Sequence, residues 1–425
     1  MLELLRDKLP FAVDDNFLSE AVQDCLLLYL HEADLYYLQP DGQQVALATA
    51  ETFTPSSSFY NRYNPPQVEL KTKIKNRYPF NGIHRQLTVD LLKLADICQR
   101  YASERKLFLL VDEQIPGNTV IRFNLMPAEQ WQISCLNIAS NSHCLYFECD
   151  LARQSKLHID CLSLTTLHSL KVLKESLPAT AAVSGSLRAE QGFVIYADLA
   201  KDAVFTSTSC NFKASSLNDA VIHLNDEGAE AEAYAAMFVN NKDSQSTHLE
   251  IRHHAPHTTS FMLCNGVIQA ASTGEFVGRG YIDKAAHGTN CRQESRFLTL
   301  DRTAKAKTYP LLIIDEYDVV AGHATSVGQL NPEALYYMQS RGLTADLAKK
   351  LMTRGFLIPV VDHFRQPFLQ KLGVRLLEWQ TDFTADSDAD LTEEELAQLE
   401  NLAHSDSQHR ITGNEDRILT SKDTN

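Results

Sequence analysis

The feature that most limits the fold is a long series of short apolar runs, beginning near Lys106 and continuing past Val320. LFLLVDE, TVIRFNLM, HCLYFECD, KLHIDCLSL, GFVIYADL, AVIHLND, THLEIRHH and TSFMLCNGVIQAAS come first, then GEFVGRGYIDKAA, RFLTLD, PLLIIDE and YDVVAGHAT. Each run has the texture of a strand of about five to eight residues, bounded by Asn, Asp, Gly, Ser or Lys. Over two hundred residues pass with hardly a helical pattern, which implies an all-β domain: a sandwich, a propeller or a solenoid. The β-branched strands and the small residues near turns, as in DEGAEAEAYA and STGEFVGRGY, favour a solenoid whose rungs bury their inward side chains against one another. No repeat of fixed length is visible.

The flanks read differently. Residues 1–105 form a helix-containing region. Asn16 to Leu38 places Phe17, Leu18, Val22, Leu26, Leu27, Leu30 and Leu35 at roughly helical spacing, and a second amphipathic helix is expected from about His84 to Glu104. The polar stretch from Thr54 to Gln67 reads as loop. After the β core, 106–328, comes a helical domain, 329–380. Asn331-Pro332-Glu333 starts its first helix, Gly342 ends it, Thr344 caps the next, and Gly355 reads as a further helix end. The tail, 381–425, carries twelve Asp/Glu against three Lys/Arg and is expected to be disordered.

Several chemistries are disfavoured. The nine cysteines are odd in number and scattered, without a C-x-x-C, so neither a disulfide framework nor a self-contained zinc or four-cysteine cluster site is expected. The net charge of −15 gives no basic face for nucleic acid. No apolar run is long enough for a transmembrane helix and no secretory signal is visible, so a cytoplasmic protein with no membrane partner is expected.

Three stretches carry a family resemblance. THLEIRHHAPHTTSFMLCNGVIQAASTGEFVGRGYIDKAAHGTN has a strand ending at His254, a turn with Thr258 to Ser260, and Phe276-Val277-Gly278. YPLLIIDEYDVVAGHATSVGQL places Pro310, Leu312, Ile314, Asp318, Val319, Ala321, His323 and Gly328 in a P-x-L-x-I-x-x-x-D-V-x-A-x-H pattern. ALYYMQSRGL, with Leu335, Tyr337, Ser340, Arg341 and Gly342, is followed by DLAKKLMTRGF. In order and spacing these resemble the SufB/SufD family of iron–sulfur cluster assembly scaffolds. The acidic residue that follows the histidine in the SufB branch is Ala324 here, which favours the SufD branch. The tail beyond Gln380 has no counterpart in the family pattern.

The resemblance implies a right-handed parallel β-helix core flanked by helical N- and C-terminal regions. It also implies a scaffold that is not an enzyme, pairs with a SufB-like subunit and holds a SufC-like ABC ATPase on its C-terminal helices. No G-x-x-x-x-G-K-[ST] phosphate loop is present. A transient iron–sulfur cluster would be shared with a partner subunit, with no tightly bound cofactor. His323 is the leading cluster ligand by that resemblance; the alternative is a histidine capping the last rung. Cys291 lies about three residues before the position at which SufB places its cluster cysteine, and is a weaker candidate beside an ordinary loop thiol. His254 is another, within His253-His254-x-x-His257, but adjacent strand residues face opposite sides, so a shared metal is disfavoured. Cys144 and Cys149 are separated by the same rule. Tyr336, Tyr337, Arg341 and Phe356 are the residues the resemblance offers to the ATPase; the alternative is that they pack the helices together.

Two further readings stay open. Exposed sheet edges also suit a homodimer. Parallel β-helices can instead be carbohydrate-active enzymes acting on acidic polysaccharide, but these need clustered carboxylates, and the middle region has few closely spaced Asp/Glu pairs.

Overall fold

The computed structural model describes residues 25–31, 34–38, 44–49, 51–53, 84–89, 91–101, 105–111, 117–138, 143–164, 191–212, 216–240 and 242–380. The expected loop at 54–67 and the acidic tail lie outside them.

The strands are β1 (Leu26–His31), β2 (Asp34–Leu38), β3 (Gln44–Thr49), β4 (Glu51–Phe53), β5 (His84–Val89), β6 (Lys106–Val111), β7 (Gly117–Leu125), β8 (Gln130–Asn137), β9 (His143–Leu151) and β10 (Lys156–Leu164). They continue as β11 (Gln191–Leu199), β12 (Val204–Phe212), β13 (Ser216–Leu224), β14 (Glu230–Val239), β15 (Ser244–His253), β16 (Thr259–Ile268), β17 (Thr273–Ile282), β18 (Thr289–Thr299), β19 (Lys305–Ile314) and β20 (Val319–Gln329). The helices are α1 (Leu91–Tyr101), α2 (Pro332–Ser340), α3 (Ala345–Val361) and α4 (Pro367–Gln380).

From β5 onward, successive strands alternate between two sheets, and each pairs in parallel with the strand two places on. The first sheet runs β20-β18-β16-β14-β12-β10-β8-β6-β1-β2-β3 and the second β19-β17-β15-β13-β11-β9-β7-β5-β4. This is the expected parallel β-solenoid, with two strands per turn. Side chains alternate as the pleat demands. In β10, Leu157, Ile159 and Cys161 fill the lumen between the sheets, whereas Leu162 and Leu164 join the outer face of the first sheet. The C-terminal helices cover that outer face: Leu357, Val360 and Val361 of α3 and Phe368, Leu369, Leu372 and Leu376 of α4 pack on Phe108, Leu136, Leu162 and Phe238.

At the corners that lead into β8, β10, β12, β14, β16 and β18 a residue adopts positive φ: Ala128, Gln154, Asp202, Gly228, His257 and Gly288. Each donates its backbone N–H to the next corner, in bonds such as Gln154 to Lys201 O (2.9 Å), His257 to His287 O (2.8 Å) and Gly288 to Asp318 O (2.7 Å). The hidden repeat has a simple cause. Register links Lys156 to Val204, Val204 to Glu230, and Glu230 to Thr259, so the offset between equivalent residues changes from turn to turn.

Three helix assignments need correction. The described part of Asn16–Leu38 is strand: β1 pairs in parallel with β6 and antiparallel with β2, so the solenoid begins before Lys106. Leu26, Leu28 and Leu30 face the lumen while Cys25 and Tyr29 face the helices, and a run apolar on both faces does not reveal its period. Among the described residues between His84 and Glu104, Leu91–Tyr101 is helical; β5 precedes it and pairs with β7. Gly355 does not end a helix but sits inside α3. The apolar stripe that α3 buries outweighs the roughly 1 kcal/mol helix cost of glycine. The change from β to helix after Gln329 stands as read. Asn331 Oδ1 accepts from Glu333 N (2.9 Å) and Ala334 N (3.4 Å), Gly342 has φ +96°, and Thr344 Oγ1 accepts from Leu347 N (3.2 Å).

Candidate functional site at the open last rung

β19 and β20 are the terminal strands of the two sheets, so among the described residues the last rung has a stacked neighbour on one side only. Lower rungs are covered on both sides, and the exposure follows: residues of β20 are mostly exposed, whereas those of β14 and β16 are mostly buried. Val320, Val327, Ile314 and Tyr317 are large apolar side chains left in solvent here. Pro310 sits in β19, where an edge strand tolerates its missing N–H.

The direction of His323 follows from the rung beneath it. Parallel in-register neighbours share a face, and β20 pairs Ala321 with Cys291, His323 with Gln293 and Thr325 with Ser295. The three β18 residues turn into the lumen. Cys291 packs with Ile282, Leu312 and Ala321. Gln293 Nε2 donates to Leu311 O across the lumen (3.0 Å), and the Ser295 hydroxyl bonds Thr308 (2.8 Å) and Thr325 (2.9 Å). His323 therefore stands over Gln293 at the mouth of the lumen, exposed, and makes no hydrogen bond or ion pair among the described residues. Further down the same column lie Met262, Ala233 and Ser207, so the column turns from apolar to amide to imidazole as it reaches the open end. Gln293 is a site residue that sequence reading missed. It is buried, and its Oε1 has no partner among the described residues.

The weaker candidates separate from His323. Cys291 is fully buried one rung below, and burial pushes its thiol pKa up, partly offset by a hydrogen bond with Ser260. Burial makes such a thiol pack as a small hydrophobe, and all nine cysteines are buried and unbridged. His254 lies on the outer face of the second sheet. Its Nδ1 is 2.6 Å from Asp283 Oδ2 and its Nε2 2.8 Å from His223 Nδ1, with the two rings stacked at 5.1 Å. Burial, offset by Asp198 and reinforced by His254, holds the His223 pKa down at about 4. A neutral His223 donating to His254, which donates in turn to Asp283, satisfies this ladder without a metal. His253 faces the other way, 0% exposed, bonded to Thr258 and Ser260 at 2.8 Å each. Cys144 and Cys149 likewise fall on opposite faces. Among the described residues no three His, Cys, Asp or Glu side chains gather in a group able to hold a metal ion.

The C-terminal candidates also divide. α2 buries none of its residues; Tyr336 is 73% exposed and Tyr337 47%. The Arg341 guanidinium lies over the Tyr337 ring at 5.2 Å. Phe356 instead packs partly buried against the helix-covered face, and its carbonyl accepts from Asn265 Nδ2 (3.0 Å). Phe356 thus serves the helix–sheet contact, while Tyr336, Tyr337 and Arg341 form an outward-facing patch. Among the described residues no helix is long and apolar enough to cross a membrane.

Residues 193–356, from β11 into α3, match the family model described as "SUF system FeS cluster assembly, SufBD core domain". The chain is 32% identical over 162 residues to the iron-sulfur cluster assembly protein SufD of Bacillus subtilis (strain 168), covering 38% of this chain and 37% of that protein. It is 30% identical over 154 residues to an iron-sulfur cluster assembly SufBD family protein of Mycobacterium tuberculosis (strain ATCC 25618 / H37Rv), covering 36% of this chain and 18% of that protein. A SufBD family protein of Mycobacterium leprae (strain TN) is 26% identical over 198 residues, covering 44% and 50%. The matches therefore span between about a fifth and a half of these relatives. Residues 193–356, which hold His254, Cys291, His323 and the α2 patch, thus match the sequence pattern of the SufBD core domain, to which the chain's own motifs point.

Proposed function

We propose that this chain is a non-enzymatic scaffold for iron–sulfur cluster assembly. It would pair with a SufB-like subunit along the open last rung and present a SufC-like ABC ATPase with the α2 patch. The observation that carries this reading is the pair of edge strands, β19 and β20, that no described residue covers, with an imidazole at the mouth of the lumen that has no partner among the described residues.

An edge strand offers a row of backbone donors and acceptors to another chain, and here the row is flanked by exposed Val320 and Val327. His323 would then lie at the seam. Neutral imidazole is a borderline ligand that suits iron, and a single imidazole holds a nascent cluster weakly enough to be passed on. The cluster is cargo in this reading, with the remaining ligands supplied by the partner. Gln293 lies one rung beneath it in the same column. Two exposed tyrosines on α2 and the arginine at its C-cap are side chains favoured at the centre of protein interfaces.

The test is reconstitution. His323→Ala, in complex with a SufB-like subunit and an ABC ATPase, is expected to keep the complex intact while lowering the cluster formed per complex, read by visible absorbance and iron content. Cluster formation equal to the unmodified complex would remove His323 from the site.

A further inference from the structure

We propose that a cleft on the outer face of the first sheet, at the starts of β6, β8, β10 and β12, binds a small phosphate-bearing ligand. The cleft has a volume of about 360 Å³, within the range of small-molecule sites. It extends the helix-covered face. The register carries Lys106, Gln132, His158 and Thr206 across the four strands on the side that bears Leu110, Leu136 and Leu162 four residues further on. Where the helices stop covering that face, the lining turns from leucine to cation: Arg105, Lys106, Lys156 and Arg365.

In a chain of net charge −15, no Asp or Glu among the described residues lines this cleft. Two nearby acids among the described residues are already engaged by groups at its edge. Glu129 takes Arg105 Nη1 at 2.7 Å. Asp160 accepts from His158 Nε2 at 2.6 Å and from the N–H groups of Arg365 and Gln366 at 3.0 and 3.2 Å. The cleft also holds polar atoms with nothing to bond. His158 is 3% exposed, and Gln132 Nε2 and His158 Nδ1, on the cleft side of their strands, are buried without a partner among the described residues. Gln132 Nε2 can only donate. A buried, unmatched donor costs about 1–3 kcal/mol, so packing alone gives no reason to keep one beside these cations. An acceptor-rich dianion would satisfy both features, and guanidinium and ammonium groups recognise phosphate oxygens well. The cleft is four strands away from β20 in the same sheet, so its occupancy does not depend on the role of His323.

The test is calorimetric titration of the full chain with inorganic pyrophosphate, with acetate at equal ionic strength as the second arm. Saturable binding of pyrophosphate and none of acetate is expected. Lys156→Gln combined with Arg365→Gln should weaken it about tenfold or more, while Lys201→Gln, on the turn corner, leaves it unchanged. No saturable heat at millimolar pyrophosphate, equal binding of acetate, or unweakened binding by the folded double variant would each overturn the proposal.

Discussion

Asp160, fully buried on β10, ties the C-terminal helices to the solenoid through a single carboxylate, accepting from His158 and from the two backbone N–H groups that lead into α4. Asp160→Ala would strand those three donors in a buried place, and we expect a loss on the order of 3 kcal/mol in denaturant unfolding. A loss within a few tenths would mean that the apolar contacts of the helices suffice. The buried histidines set a pH dependence. Burial, with neighbouring His254, pushes the His253 pKa down to about 4, and that of His223 is similarly low. The unfolded chain takes up these protons near pH 6.5, before the folded chain does, so stability is full above that pH and falls as pH drops toward 4. The urea midpoint should therefore fall from pH 7 to pH 5, and His253→Gln should flatten part of that slope; a midpoint unchanged with pH would contradict it. The split between His253 and His254 was legible, because strand alternation alone puts them on opposite faces. Asp160 was not, since nothing in KLHIDCLSL reveals that a helix from two hundred residues away will descend on that strand.

Among the elements, β17 fits under the last rung only because its glycines leave room. A Cβ on Gly280 would lie 2.7 Å from Cys291 Sγ and 2.8 Å from Gln293 Nε2. Gly280→Ala should cost about 1–3 kcal/mol by overpacking, and adding Cys291→Ala should recover part of it, as thermal unfolding would read. Equal loss in the single and double variants would mean that the lumen does not press on Cys291. Strand existence and the β-to-helix switch at Asn331-Pro332 were plain in the sequence, because turn chemistry and capping are local. The corners were not. Ala128, Gln154, Asp202 and His257 hold the same left-handed conformation as Gly228 and Gly288, and a non-glycine at positive φ carries no composition signal. Its cost of about 1–2 kcal/mol is offset by the corner-to-corner hydrogen bonds, which only the assembled stack supplies. The start of the solenoid was missed for a related reason. CLLLYLH is apolar on both faces because the lumen lies on one side and the helices on the other, and both of those are tertiary facts.

At the scale of the molecule, the solenoid is asymmetric. β1 is continued by the antiparallel β2 and β3, and the second sheet ends in the antiparallel β4, whereas β19 and β20 have no neighbour beyond them among the described residues. The functional reading rests on that unfinished end. Its location was legible as a family motif around His323, but its openness was not, because a sequence does not say which rung is last. Hydrogen–deuterium exchange of this chain, alone and with a SufB-like subunit, tests the claim directly. The account predicts that amides in 305–329 exchange quickly in the isolated chain and become protected in the complex, with 230–268 little changed. A complex that forms while 305–329 stays as unprotected as in the isolated chain would contradict it.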